Sequence, residues 1–209
     1  RKSHILSDKE KEITAYHEMG HALVSSILPH ADPVHKVTII ARGKAGGYTL
    51  KLPLEEKRLQ SRKEFLDDIA VSLGGFAAET IIFDDITTGP CNDIAVATAL
   101  ARDMVTKYGM SDKIGPISFD STGPMLNWER GIMGKNYSES TTADIDSEVS
   151  KIMNEGLARA REVLTQNRVA LDSMALELKK IETFERKEFE ELLILNGIKP
   201  KRKEEEVVV

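Results

Sequence analysis

Apolar residues recur at helical spacing from Ile5 to Leu28, and the stretch opens on "SDKE", where Ser7 can cap the helix and Glu10 can reach back to it. This capping box predicts a helix from Ser7 to shortly before Pro29, since a residue ahead of proline is pushed out of the helical region. "VHKVTII" and "GYTLKL" alternate instead and are rich in β-branched residues. They flank the basic, glycine-bearing "ARGKAGG", which predicts two strands joined as a hairpin. A second capping box, Ser61 to Glu64, predicts one helix through "FLDDIAVSLGGFAAETIIF". Gly74 and Gly75 weaken that helix, and their pairing implies a neighbouring backbone that approaches where side chains are missing. The same reasoning applies to Gly20.

Further along, "ITTGPCND" reads as a loop and "IAVATALARDMVTKYG" as a helix that stops at Gly109. Residues 114–136 hold irregular glycine and proline together with Trp128, the pattern of a surface loop. Helical periodicity returns from Thr141 to about Thr165, from Arg168 to Ile181 and across "RKEFEELLIL". The expected fold is mostly α with a small β element: a metal-binding helix and a hairpin or small sheet in front, and a helical bundle from about 141. Residues 1–198 form one domain in this reading. The charge blocks of 199–209 have no periodicity and are expected to be disordered.

Composition narrows the function classes. The 209 residues are 41% hydrophobic with a net charge of -5, enough for one sizeable core and no footprint for nucleic acid. Cys91 is the only cysteine, so no internal disulfide forms, which fits a reducing compartment. No apolar run reaches the roughly 18 residues of a membrane span, and "RKSHILSDKEKE" lacks the core of a signal peptide. The chain opens on Arg1, as expected of a soluble piece of something longer.

"HEMGH" carries the chemistry. Residues four apart on a helix share a face, so His17 and His21 can hold one ion. Glu18 is turned about 100° away and can reach an attacking water without ligating the ion, the geometry of H-E-x-x-H zinc peptidases. Two unsatisfied imidazoles on an apolar stripe with Ile13 and Val24 would otherwise be costly. A catalytic zinc has three protein ligands, and the candidates for the third are Glu79, Cys91, Asp93, His4, His30 and His35. The three histidines stand at expected element ends, where solvation is the ordinary state, and Cys91 reads as a small packed residue. Asp93 could equally cap a helix. By chemistry alone, Asp93 and Glu79 remain level.

"AYHEMGHALV", "VHKVTIIARGKAGGYTLKLP", "LGGFAAETII" and "TTGPCNDIAVATALARDMVTKYGMS" occur in order, and together they resemble the peptidase domain of the FtsH family of ATP-dependent membrane proteases. The likeness runs to about Ile198. It implies that Asp93 is the third zinc ligand, that Glu79 stands behind the ligands, and that Glu18 is the general base. It also implies a membrane-anchored hexameric parent, with this domain facing the cytoplasm or an organelle interior. An ATPase module there would use ATP to unfold polypeptides and membrane proteins and pass them to this site. The chain has no G-x-x-x-x-G-K-[ST] loop, so it is not that module. Met19, Phe76, Thr80 and Pro90 depart from the family's usual residues without removing a ligand or the base. The rival expectations are a non-catalytic ring-forming scaffold with a structural zinc, and a two-histidine metal module without hydrolysis.

Overall fold

The computed structural model describes residues 7–40, 46–54, 59–119 and 138–201. His4, most of the hairpin connection, Trp128 with most of its expected loop, and the tail from 202 onward lie outside them. The described chain is mostly helical with one small antiparallel sheet.

Helix α1 spans Asp8–Ile27, and both halves of its capping box form at Ser7 and Glu10. Every residue from Ala15 to Ser26 is buried, so α1 is the central element of the core rather than a surface helix with one covered face. Strands β1 (Val34–Thr38) and β2 (Tyr48–Lys51) pair antiparallel, with Val37 opposite Thr49 and an irregularity between Val34 and Lys36. A third strand, β3 (Thr183–Glu185), pairs along the other side of β1. The expected hairpin is therefore two-thirds of a sheet of order β2-β1-β3, with β2 on the outside.

The expected single helix after Ser61 is two. Helix α2 (Arg62–Ser72) and helix α3 (Gly74–Phe83) meet at Leu73, whose ψ of 0° breaks the helical path. The cause lies in the packing of α3 on α1. A methyl group added at Gly20 would stand 2.4 Å from the Gly74 carbonyl oxygen, and one at Gly74 would stand 2.8 Å from that of Gly20. Two backbones in contact leave no room for side chains, and the break at Leu73 lets α3 turn closely onto α1 while α2 packs against α4 and α5 as well as α1.

Helix α4 (Cys91–Thr106) starts within the expected loop, and Gly109, at φ +61°, closes the segment behind it. Helices α5 (Glu139–Gln166), α6 (Arg168–Ile181) and α7 (Arg186–Leu195) follow. Leu171, Met174 and Leu178 of α6 enter the α1 core, whereas Ile145, Val149 and Ile152 of α5 join Phe65, Ile69 and Met104 in a second cluster. Lys201 donates to the carbonyls of Ser25, Leu28 and Ala31, so the chain after α7 is tied to the end of α1. No helix of the described residues is long and apolar enough to cross a membrane.

Candidate metal centre

His17 and His21 sit one turn apart on α1, both buried, with their Nε2 atoms 3.1 Å from each other. Asp93, in the first turn of α4, brings Oδ2 to 3.3 Å from His17 Nε2 and 3.6 Å from His21 Nε2. Because α4 begins at Cys91, Asp93 lies inside the helix and its carboxylate faces the histidines instead of capping. Among the described residues, these three are the group whose ligand atoms converge closely enough to share an ion.

The hydrogen bonds behind the cluster decide what occupies its centre. His21 Nδ1 lies 2.7 Å from the carbonyl oxygen of Val71, which can only accept, so the Nδ1 atom carries the proton. His17 Nδ1 lies 2.8 Å from Glu79 Oε1, and the other Glu79 oxygen accepts from the amide of Thr87 at 2.8 Å. In their neutral form both rings turn unprotonated Nε2 atoms toward each other and toward a carboxylate oxygen. Three lone pairs crowded in a buried site repel unless a proton or a metal cation lies between them.

The spacing fits one. Ligand atoms on a tetrahedral ion at zinc–nitrogen distances stand about 3.3 Å apart, and the three separations here run from 3.1 to 3.6 Å. The electrostatics agree. Burial disfavours a charged His17, yet Asp93 and Glu79 override it and raise the ring to about 9 from its ordinary 6.5. Burial likewise opposes ionisation of Asp93 and Glu79, but the facing histidines hold Asp93 well below the usual carboxylate range, and His17 with Thr87 lowers Glu79. A field that draws in a proton so strongly draws in a divalent cation.

Glu18 is buried beside this cluster and does not belong to it. Thr49 donates to its Oε2 at 2.9 Å. Burial pushes the Glu18 carboxyl up, against the pull of His21 and His17. His17, Glu18 and His21 floor an open cleft, walled on one side by Gly46–Thr49 and Lys51 and on the other by Thr87–Gly89, Asn92 and Asp93. Two glycines make it possible. A methyl group at Gly47 would lie 2.5 Å from the Thr38 carbonyl oxygen, and one at Gly75 would lie 2.4 Å from the His17 ring.

The sequence places His17, His21, Glu18, Asp93 and Glu79 in this site, and the structure brings all five together. His30 and Cys91 are exposed, and neither they nor His35 joins the cluster. Gly75 meets an imidazole rather than the expected backbone. Thr49, Gly47 and the Val71 carbonyl escape sequence reasoning: the first two stand in the hairpin, where their residue types already have a structural role, and a main-chain carbonyl leaves no mark on composition.

Comparison with known proteins adds an independent finding. Residues 4–192 match the model of peptidase family M41. Over 195 residues, 92% of this chain, it is 50% identical to the ATP-dependent zinc metalloprotease FtsH 3 of Petrotoga mobilis. It is 48% identical to similarly named proteins of Veillonella parvula and Pseudothermotoga lettingae, again over 92% of this chain. The chain spans about 30% of the length of these relatives. The family match takes in α1, both walls of the cleft and every residue of the cluster, and the chain belongs to peptidase family M41.

Proposed function

We propose that this chain is the proteolytic part of an ATP-dependent protease, a zinc endopeptidase that cuts unfolded or membrane polypeptides delivered by an ATPase module outside the chain. The observation that carries the reading is the convergence of His17, His21 and Asp93 on one point, with Glu18 beside it and outside the ligand set. The names of its relatives agree with it. Membrane anchorage and a hexameric ring belong to the proposal for the full-length protein, on resemblance alone, and the mass of its detergent-solubilised particle tests both.

His17, His21 and Asp93 would hold the zinc, with Glu79 and the Val71 carbonyl fixing the two rings from behind. Zinc, when bound, supplies a Lewis acid that acidifies water and polarises the peptide carbonyl. Glu18 takes a proton from the attacking water and returns it to the departing amide nitrogen. Its burial serves that exchange, since a carboxyl raised above its ordinary value gives and takes a proton more evenly.

Cleavage of unfolded casein, together with one zinc per chain, is the deciding experiment. Zinc without cleavage would favour the scaffold reading. Metal affinity then assigns the roles: Asp93→Ala removes one of three converging lone pairs, whereas Glu79→Ala removes only the brace behind His17. Glu79→Ala should weaken zinc binding about 10 to 100-fold, the usual cost of such a brace, and Asp93→Ala should weaken it further. Competition with a chromophoric chelator reads both, and the reverse order would exchange the two roles.

The sheet suggests how substrate is held. One side of β1 is covered by β3, and β2, the outer strand, walls the cleft. An extended peptide pairing along β2 would present its carbonyls to the site through main-chain bonds, without demanding a sequence. A crystal structure with a peptide-like inhibitor should show it running alongside Tyr48–Lys51. An inhibitor held only by side-chain pockets elsewhere rules this out.

A further inference from the structure

We propose that Thr49 is the positioning residue of Glu18, holding the base in its working rotamer through a single hydroxyl; this rests on the reading of Glu18 as general base. The Thr49 hydroxyl lies 2.9 Å from Glu18 Oε2 and 3.1 Å from the main-chain oxygen of the same residue. One donor proton shared by the two ends of one residue fixes the span between them, and with it the side-chain torsions of the glutamate. Val37 on β1 stands opposite Thr49, so the backbone that carries the hydroxyl is itself held by the sheet.

The other side of the glutamate is closed as well. Gly47 lies two residues before Thr49, just ahead of β2. A methyl group there would stand 3.0 Å from both Cγ and Oε1 of Glu18. The glutamate stem runs between bare backbone at Gly47 and the hydroxyl at Thr49. Of these two contacts only the hydroxyl is directional, so only it selects which way the carboxylate plane turns. The remaining oxygen, Oε1, is left to meet the water. A base held in place ahead of reaction avoids the loss that small misplacements cause, on the order of 100-fold for an ångström.

The strand adds a consequence. Thr49 belongs to the element proposed to pair with the peptide, so one strand aligns both the carbonyl and the base that acts beside it. Substrate binding uses the main chain of β2 and the base uses its side chain. Removal of the hydroxyl should therefore slow turnover without weakening binding.

The test compares Thr49→Val, which keeps shape and branching but removes the donor, with Thr49→Ser, which keeps the donor. Both are measured in the zinc-loaded full-length protein with ATP and unfolded casein. Thr49→Val should lower kcat about 10 to 100-fold with KM and zinc content unchanged, and Thr49→Ser should stay within about threefold of the parent. A crystal structure of Thr49→Val should show the Glu18 carboxylate turned or spread over several rotamers. Should Thr49→Val fail to fold, Thr49→Ala takes its place. Full kcat in the valine variant, equal losses in valine and serine variants, loss of zinc, or an unmoved Glu18 would each overturn the proposal. Failure of the underlying reading looks different: the unaltered protein would not cleave, or Glu18→Gln would cleave normally.

Discussion

Glu18→Gln is expected to abolish cleavage of unfolded casein while one zinc per chain stays bound. The substitution keeps the size of the side chain, and its amide oxygen can still accept the Thr49 hydroxyl that now meets Oε2 at 2.9 Å. Only the ability to take a proton is lost, worth roughly 10² to 10⁴ in rate for a positioned base. The three converging ligand atoms belong to other residues, so the metal has no reason to leave. Stability should not fall, because a buried carboxylate is costly and burial already raises the Glu18 carboxyl. Zinc analysis beside a cleavage assay reads the two effects separately. Loss of metal together with activity would make Glu18 a ligand and end its assignment as the base.

Residues that speak through local chemistry were legible in the sequence. Ser7 with Glu10 and Ser61 with Glu64 announce helix starts because a cap and its partner lie three residues apart. His17 and His21 announce a shared face because four residues make about one turn. Arg168–Ile181 and Arg186–Leu195 follow from helical periodicity alone. Contacts across long separations leave weaker traces. β3 is three residues long, and it exists because Glu182, at φ +66°, turns the chain back so that Thr183–Glu185 can lie beside β1. Nothing in "TFE" encodes that partner. Asp93 and Glu79 could not be separated by type, since both are carboxylates near a histidine. Their difference is that one meets Nε2 and the other Nδ1, a fact of packing. The break at Leu73 is of the same kind: the glycines are visible in sequence, but the helix that presses on them is 54 residues away.

Those glycines separate fold from function. At Gly20 and Gly74 the obstacle to a methyl group is main chain: 2.4 Å from one carbonyl oxygen and 2.8 Å from the other. Backbone in the centre of the core cannot yield, so Gly20→Ala should force α1 and α3 apart and lower the unfolding midpoint by many degrees, with metal binding lost as a consequence. At Gly75 the obstacle is the His17 ring, 2.4 to 2.6 Å from the added carbon. A side chain can turn away. Gly75→Ala should therefore be accommodated by rotation of His17, which breaks the bond to Glu79 and carries Nε2 off its convergence with His21 and Asp93. Helix propensity partly offsets the disturbance, since alanine is favoured over glycine by about 1 kcal/mol inside a helix. The expected result is a folded protein, within a few degrees of the parent when both are metal-free, that has lost zinc affinity at least as severely as Asp93→Ala and does not cleave. Thermal melts without metal, chelator competition and a casein assay make the comparison. Normal zinc binding in Gly75→Ala would show that His17 reaches the site without this glycine, and unfolding of the metal-free variant would place Gly75 with Gly20 among the residues that hold the helices together.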